Sequence, residues 1–468
     1  MQIIRRAEDS AIKESAITDE ILQKFKIGHG GEEADGKGSK GGFACEDYGL
    51  AVDIGTTTIA ISLYQLKEQR LVGSIQERNR QTLMGSDVVM RLMHCRQGNQ
   101  KKLQQMVTNQ IEAMAELLCD TICSLGDIRK ITVVGNSTMC HIFAGKDTSG
   151  LAGSPFQPAY QGALQCLGSD VGFQGMCKTE IYILSGIGAH VGADTTAMLT
   201  CLEMFDDKKL QLAIDIGTNA EIVLNHSGKL VVCSVPAGPA FEGMEISCGM
   251  RGGEGAIAGV RLAPQAGNVI LHVIGGDDIV RIAPKGICGS GLIDAVAQLL
   301  QYGLIRSDGY MLTAQEAREN GIPEEMAKRL TEEGFLLFQS NDVSILLTQQ
   351  DIRQFQLAKA AVQAGIKVLL SSQGLSVEQM EQIWIAGVFG GHISENSAIK
   401  TGLFPNVPSD RLSMAGNAAG RGAALALLSP EFCSLSENLA GQAEHLELAS
   451  SDLFKREFLA AMELSTWK

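Results

Sequence analysis

The pattern of apolar and polar positions along the chain predicts one strand–turn–strand unit that occurs twice. Residues 51–60 and 213–222 each begin with an apolar run that reaches an aspartate, turn at a Gly-Thr pair, and leave through a second apolar segment. Two apolar segments joined by a short glycine turn are typical of paired β-strands. A repeated unit predicts two related subdomains whose turns face one ligand.

Between and beyond these copies, the spacing of apolar residues predicts helices that alternate with buried strands. Helical periodicity extends over residues 101–125, and a capping box at 348–351 precedes a second, longer helix. Three further strands run into glycine-rich polar turns, at residues 131–138, 181–188 and 382–392. This alternation predicts a protein of the α/β class.

The same pattern predicts three segments along the chain. Residues 1–47 are expected to be flexible, because one marginal helix over residues 1–27 leads into a linker rich in Gly, Lys and Glu. A first subdomain is predicted over residues 48–205. A second is predicted over residues 206–468, with a glycine-rich insertion and helices at its C-terminal end.

Charge and composition exclude several classes of partner. The 53 acidic residues outnumber the 39 Lys and Arg residues, and the net charge of −14 argues against nucleic acid or an anionic membrane as partner. No apolar run is long enough to span a bilayer and no secretory signal is recognised, so we expect a cytoplasmic protein. The 12 cysteines are scattered and form no Cys-x-x-Cys pair, which favours free core thiols over disulfides.

The two turns carry the candidate chemistry. Backbone N–H groups and threonine hydroxyls in so short a turn can reach a phosphate. The aspartate beside each turn would repel a phosphate directly, so we predict that Asp53 and Asp215 hold Mg²⁺ through water. The predicted phosphate ligands are Gly55, Thr56, Thr57, Thr58, Gly217, Thr218 and Asn219.

Five motifs stand in an order that resembles the superfamily of actin, sugar and acetate kinases, and heat-shock chaperone ATPases. They lie at residues 53–58, 133–138, 215–219, 385–392 and 416–427. The resemblance implies that the first and third motifs bind phosphates through Mg²⁺ and that the fourth holds adenosine. It implies that the second and fifth are crossing helices of a hinge. The implied fold is a two-subdomain actin-like ATPase fold of duplicated ribonuclease H-like units, with a nucleotide cleft between them.

This resemblance adds further residues to the predicted ATP site. The residues assigned to the nucleotide are Asn136, Gly387, Gly390 and Gly391. Glu221 joins Asp53 and Asp215 in the predicted catalytic set, as the residue that orients the attacking water. Glu242 is the alternative for that role.

Several segments are more closely similar to the reductive activators of corrinoid proteins. They lie at residues 52–58, 237–243, 246–251, 286–294 and 386–391. Members of that family use ATP to return an inactive Co(II) corrinoid to Co(I), so that methyl transfer can resume. The resemblance implies a corrinoid protein of a methyltransferase system as partner and leaves a homodimer open.

The cysteines depart from the pattern of that family, which usually begins with an iron–sulfur ferredoxin domain. Only Cys45 lies in the first 90 residues, whereas a plant-type cluster needs four cysteines. We therefore expect no iron–sulfur cluster and a separate low-potential electron donor such as ferredoxin. In the activators of acyl-CoA dehydratases, a cysteine before a helix ligates a cluster together with a second one downstream. Here Cys288 is followed only by Cys433, so we interpret Cys288 as a buried thiol.

Two other functions are compatible with the same motifs. One is a small-molecule kinase that transfers the γ-phosphate to a sugar or a carboxylate. The other is a nucleotide-switched protein that regulates a corrinoid methyltransferase without reducing anything. A substrate screen with labelled ATP tests the kinase. Measured ATP turnover, with and without a corrinoid protein, separates the regulator from an activating ATPase.

Overall fold

Two large β-sheets, each centred on one copy of the duplicated unit, organise the fold. The computed structural model describes residues 3–6, 47–205, 209–275, 282–387 and 393–467, with the backbone alone for the first of these ranges. Two smaller sheets, of three and two strands, complete the β-structure of the described residues.

The strands are distributed along the whole described chain. They are β1 (Ile3–Arg6), β2 (Tyr48–Ile54), β3 (Thr58–Gln65), β4 (Arg70–Arg78), β5 (Ile128–Gly135), β6 (Leu164–Leu167), β7 (Glu180–Ile183), β8 (Gln211–Ile216), β9 (Ala220–His226), β10 (Lys229–Val235), β11 (Ala256–Ala263), β12 (Asn268–Val273), β13 (Gly286–Ile287), β14 (Phe335–Gln339), β15 (Ser344–Leu347), β16 (Gln382–Gly387), β17 (Leu412–Gly416) and β18 (Glu444–His445).

The helices vary from four to 24 residues in length. They are α1 (Val88–His94), α2 (Gln100–Cys119), α3 (Ser137–Phe143), α4 (Gly168–Val171), α5 (Ala193–Cys201), α6 (Gly289–Gln301), α7 (Ala314–Glu319), α8 (Glu324–Ala327), α9 (Gln349–Ser372), α10 (Glu395–Thr401), α11 (Ala418–Leu428), α12 (Pro430–Gln442) and α13 (Asp452–Ala460). Within the described ranges, no helix combines the length and the apolar character needed to cross a membrane.

The first sheet has seven strands in the order β1-β4-β3-β2-β5-β7-β6. Strands β2, β3 and β4 form an antiparallel meander, while β5 and β7 continue the sheet in parallel on the other side of β2. Leu50, Val52 and Ile54 on β2 are fully buried. A central strand covered on both faces is a nearly continuous apolar run. The apolar pattern before Asp53 therefore located this strand correctly.

The second sheet repeats the local arrangement of the first. Its order is β17-β16-β8-β9-β10-β18. Ile54 on β2 pairs with Gly135 at the end of the parallel strand β5. In the same way, Ile216 on β8 pairs with Gly387 at the end of the parallel strand β16. The strand register thus confirms the duplication that the sequence predicted.

The chain divides into two compact units that do not correspond to a single cut in the sequence. The first unit comprises Met1–Lys208, Asn225–Val232 and Asn417–His445. The second comprises Lys209–Leu224, Cys233–Gly416 and Leu446–Lys468. Helix α11 belongs to the first unit because its apolar residues, such as Ala423 and Leu425, enter the same core cluster as β2.

Residues 3–6 differ from the sequence prediction of a single helix over residues 1–27. Ile3–Arg6 form β1, which pairs antiparallel with β4 from Ile3 opposite Gln76 to Arg6 opposite Gly73. The four residues, Ile-Ile-Arg-Arg, show no alternation of apolar and polar positions, and their pairing partner lies about 70 residues further along the chain. The predicted linker and Cys45 lie outside the described residues.

Of the two predicted crossing helices, the structure shows the fifth motif as a helix but replaces the second with α5. Helix α11 packs against α5, β2 and β5. A Cβ on Gly422 of α11 would lie 2.5 Å from the carbonyl oxygen of Ala197 on α5, so glycine permits the close crossing. The sequence assigned the crossing partner to residues 133–138. Those residues instead end β5 and begin the short helix α3, because Asn136 caps a new helix there.

The C-terminal end is anchored on a buried lysine of the second unit. Lys359 on α9 has no exposed surface, and its Nζ donates to the carbonyl oxygens of Ala461 (2.7 Å) and Glu463 (2.5 Å). The indole Nε1 of Trp467 donates to the carbonyl oxygen of Gly402 (2.8 Å). A buried cation is stable only with such hydrogen-bond partners, so Lys359 fastens this segment to α9.

Candidate functional site

The first predicted turn connects β2 to β3 in the first unit. Asp53 lies one residue before the end of β2, and Thr58 is the first residue of β3. Thr56 and Thr57 are buried, while Asp53, Gly55 and Thr58 are half-buried. The predicted phosphate ligands of the first motif thus form one short turn.

Two asparagines from other segments contact this turn. Asn79 Nδ2 donates to the carbonyl oxygen of Gly55 over 2.9 Å. Asn136 Nδ2 donates to the hydroxyl of Thr56, also over 2.9 Å. The structure therefore brings Asn136 of the second motif to the first turn, and its assignment to the nucleotide stays a prediction. Asn79 was not singled out by the sequence, because its role depends on a contact formed only in the folded chain.

Asp53 also lies beside two residues that no sequence motif assigned to the site. Asn417 Nδ2 donates to Asp53 Oδ2 over 3.2 Å, although the two residues are 364 positions apart in the sequence. Asp194, in the first turn of α5, is near enough for its charge to raise the pKa of Asp53. All three side chains keep part of their surface exposed.

The environment of the two carboxyl groups favours their neutral forms. The pKa of Asp53 rises from 3.8 to about 7, first through burial and then through the charge of Asp194, against the hydrogen bond from Asn417. Burial likewise raises the pKa of Asp194 to about 6, although the N–H of Thr195 donates to its Oδ1 over 2.7 Å. Neighbouring carboxylates that repel each other gain from a bound cation, and Mg²⁺ prefers oxygen ligands. These residues therefore fit a hydrated Mg²⁺.

The second predicted turn follows β8 in the second unit. The N–H of Gly217 donates to the carbonyl oxygen of Asn219 (2.9 Å), which closes the turn. The hydroxyl of Thr218 donates to Glu242 Oε1 (2.7 Å). The carbonyl oxygen of Thr218 accepts a bond from the N–H of Gly238 (2.8 Å). Residues 238–242 therefore hold Thr218 at its side chain and at its backbone.

Gly387 lies directly beside Asp215. Its φ is +104°, and a Cβ at this position would lie 2.7 Å from Asp215 Oδ1 and 2.4 Å from the carbonyl oxygen of Ile216. Only glycine fits there. The fourth motif thus begins next to the second aspartate. Gly390 and Gly391 lie outside the described residues, so their assignment to adenosine stays a prediction.

The two glutamates considered for the attacking water have different surroundings. Glu221 on β9 is buried and accepts a bond from the hydroxyl of Ser234 on β10 (3.1 Å). Glu242 is also buried, at the end of a short 3-10 helix, and its contact with Thr218 reaches the second turn. The structure thus places Glu242 in contact with the second predicted turn. The catalytic role of Glu221 stays a prediction.

Cys288 has the surroundings of a small buried thiol. It occupies the N-cap position of α6, and its Sγ lies 3.3 Å from the carbonyl oxygen of Ile257 and 3.3 Å from the hydroxyl of Ser290. In the part of the chain that the structure describes, no three His, Cys, Asp or Glu side chains are grouped to hold a metal ion.

Two family models match consecutive parts of the chain. The model described as the RACo middle region matches residues 48–207. The model described as the C-terminal domain of RACo, the ASKHA domain, matches residues 209–468. ASKHA denotes the actin-like ATPase superfamily, so the fold class predicted from the motifs is confirmed.

Individual relatives agree with these family models. The corrinoid activation enzyme RamQ of Eubacterium limosum is 32% identical over 422 residues, which cover 88% of this chain and 69% of the relative. The Co(II) methylated amine-specific corrinoid protein reductase of Methanosarcina barkeri is 23% identical over 446 residues, or 90% of this chain and 77% of that protein.

A solved structure shows the same relationship in three dimensions. The reductive activator for corrinoid, iron–sulfur protein matches with a TM-score of 0.82 and 32% identity, over 91% of this chain and 67% of that chain. Family models and relatives together cover both halves of the sequence. The chain therefore belongs to the family of reductive activators of corrinoid proteins, with the RACo middle region in residues 48–207 and the ASKHA domain in residues 209–468.

Proposed function

We propose that this protein is an ATPase that reactivates a corrinoid protein by reducing its cobalt from Co(II) to Co(I). The observation that carries the proposal is the carboxyl pair of Asp53 and Asp194 beside a threonine turn, in a chain that matches the activator family along both regions. Such a pair suits a magnesium nucleotide, and the relatives are named for corrinoid activation and corrinoid reduction.

The nucleotide is assigned to the two duplicated turns. We assign its phosphates to the turn after Asp53 and to the turn after Asp215, and its adenosine to the segment that begins at Gly387. Asp53 and Asp215 would hold the water shell of Mg²⁺, with the carboxyl group of Asp194 beside Asp53. When bound, Mg²⁺ neutralises phosphate charge and favours attack on the γ-phosphate. Glu221 and Glu242 are the candidates for orienting the attacking water.

The reduction itself is a one-electron step. Cobalt gains the electron that a separate low-potential donor, such as a ferredoxin, loses. Forming Co(I) is uphill with physiological donors, so the electron transfer needs a coupled change. ATP binding and hydrolysis can supply it if the two nucleotide states differ in affinity for the corrinoid protein. A difference of about 10⁴-fold is needed to move a two-state equilibrium from about 1:99 to about 99:1.

We expect ATP turnover to rise when a corrinoid protein is added, because the partner favours one state of the nucleotide cycle. The measurement is phosphate release with and without the corrinoid protein. The matched control is the same partner without its corrinoid. A nonhydrolysable ATP analogue should hold the complex together long enough for a pull-down.

Other outcomes would point to the alternative functions. Stimulation by a sugar or a carboxylate, with transfer of the labelled γ-phosphate to it, would identify a kinase. Binding of the corrinoid protein without any ATP turnover would identify a nucleotide-switched regulator.

A further inference from the structure

A fully buried arginine contacts the first turn and is not among the residues assigned to the nucleotide. Arg91, on α1, has no exposed surface and is among the largest completely buried side chains of the described chain. Arginine is rarely buried, because removing its charge from water is costly unless hydrogen bonds compensate. The hydrogen bonds of Arg91 must therefore compensate for the cost of burying its charge.

The guanidinium group is bonded directly to the backbone of the turn. Its Nη2 donates to the carbonyl oxygen of Thr56. Its Nε donates to the carbonyl oxygen of Gly85 over 3.1 Å, and its Nη1 to Gln81 Oε1 over 3.2 Å. The Sδ of Met139 lies 2.8 Å from the same Nη1. Arg91 thus joins the phosphate turn to the segment that precedes α1.

Asn79 holds the two neighbouring carbonyl groups of the turn. Its Nδ2 donates to the carbonyl oxygen of Gly55 over 2.9 Å, and its N–H donates to the carbonyl oxygen of Thr57 over 2.8 Å. The carbonyl groups of Gly55, Thr56 and Thr57 therefore all accept bonds from residues 79 and 91.

This arrangement has a consequence for the opposite side of the turn. In a trans peptide, the C=O and the N–H point in opposite directions. Fixing the carbonyls of Gly55 and Thr56 on one side directs the N–H groups of Thr56 and Thr57 to the other. A buried positive charge in a medium of low dielectric strengthens these dipoles. Together these effects favour an anion in front of the turn.

We propose that Arg91 is a positioning residue for the nucleotide phosphates, which fixes the Thr56 peptide and makes the first turn electropositive from behind. The inference rests on the proposed function, because it assumes that this turn binds the phosphates of ATP. Arg91 does not touch the nucleotide. It acts through the backbone of the turn.

The test compares ligands that differ only in their phosphates. ATP and adenosine are titrated against the full chain and its Arg91→Met and Arg91→Lys variants. Arg91→Met should weaken ATP binding by about 10- to 100-fold, the range expected for charge-assisted hydrogen bonds. Adenosine binding should change by less than about two-fold, because adenosine carries no phosphate for the turn. Arg91→Lys keeps the positive charge but not the planar guanidinium group. Its ATP affinity should therefore lie between that of the unaltered protein and that of Arg91→Met.

Lys359→Met is the matched control. It also removes a fully buried cation that bonds backbone carbonyls, but in the second unit and at the C-terminal segment. Its ATP affinity should equal that of the unaltered protein, even if its melting temperature falls. A loss of ATP affinity as large as that of Arg91→Met would show a general effect of destabilisation.

The outcomes separate this inference from the proposed function. If the unaltered protein does not bind ATP, the proposed function fails. If it binds ATP and the Arg91 variants bind equally well, or lose ATP and adenosine in equal proportion, the role of Arg91 is refuted. If Arg91→Met does not fold, Arg91→Lys decides, with an expected ATP-specific loss of about three- to ten-fold.

Discussion

Replacing Asp53 with asparagine is expected to lower ATP turnover by about 100-fold or more without lowering the stability of the folded chain. The change removes the negative charge that is predicted to hold the water shell of Mg²⁺. Asparagine has nearly the same shape, so the hydrogen bond from Asn417 can persist. The measurement is steady-state phosphate release at saturating ATP, with Asp215→Asn as a parallel variant.

The same substitution should change how stability depends on pH in the absence of Mg²⁺ and nucleotide. Because folding raises the pKa of Asp53 from 3.8 to about 7, the folded chain binds more protons than the unfolded chain between these values. The free energy of unfolding should therefore fall as the pH rises through this window and stay lower above it. Asp53→Asn removes this contribution, so the variant should be at least as stable as the original at pH 8.

Denaturant unfolding in EDTA at several pH values measures the effect on stability. Asp194→Asn is a parallel variant. It removes the second carboxyl group of the pair, so it should also relieve the repulsion between Asp53 and Asp194 above pH 7. Full ATP turnover in both the Asp53 and the Asp215 variants would refute the assignment of these two residues to the Mg²⁺–ATP site. Loss of turnover together with loss of folding would leave Asp53 with a structural role only.

Replacing Gly387 with alanine should have the second largest effect. The added Cβ would meet the carbonyl oxygen of Ile216 at 2.4 Å and Asp215 Oδ1 at 2.7 Å, in a residue whose φ of +104° already disfavours a side chain. The ends of β8 and β16 must then separate, which displaces Asp215. A displacement of about 1 Å at a reacting site can cost about 100-fold in rate. We expect a loss of that size in kcat and a lower melting temperature.

Gly374→Ala is the control for Gly387→Ala. It introduces backbone strain without displacing Asp215. Gly374 has a φ of +66°, but a Cβ there would meet no atom within 4 Å. The variant should lose about 1 kcal/mol of stability, the usual cost of such a φ for alanine, and keep its turnover. Equal losses of turnover in the two variants would show that Gly387 matters only for folding.

The parts of the fold that repeat locally could be predicted from the sequence. Each aspartate ends a buried strand whose apolar run is continuous, and the Gly-Thr pair that follows is a local turn signal. Both copies therefore appear where they were expected, with Gly135 and Gly387 at equivalent positions of the sheet register. The order of the motifs also led to the correct family.

The contacts made between distant segments could not be predicted in this way. In the sequence, Asp194 looks like an acidic residue in the first turn of a helix, and Asn417 looks like an N-cap residue. Both are common at these positions. They reach Asp53 only because α5 and α11 pack in one core with β2. Arg91 lies in the largely apolar helix α1, where nothing in the local sequence indicates that the arginine is the buried side chain. Its burial depends on the turn and on α3, which meet only in the folded chain.

The most direct test of the account is the absorption spectrum of the cobalt. A Co(II) corrinoid protein is mixed with this protein and a low-potential donor, and the spectrum is recorded before and after ATP is added. We expect Co(II) bands to give way to Co(I) bands, or to methyl-Co(III) bands when a methyl donor is present. The conversion should need ATP and fail with the Asp53→Asn variant. An unchanged Co(II) spectrum with every low-potential donor, while ATP is hydrolysed, would contradict the account.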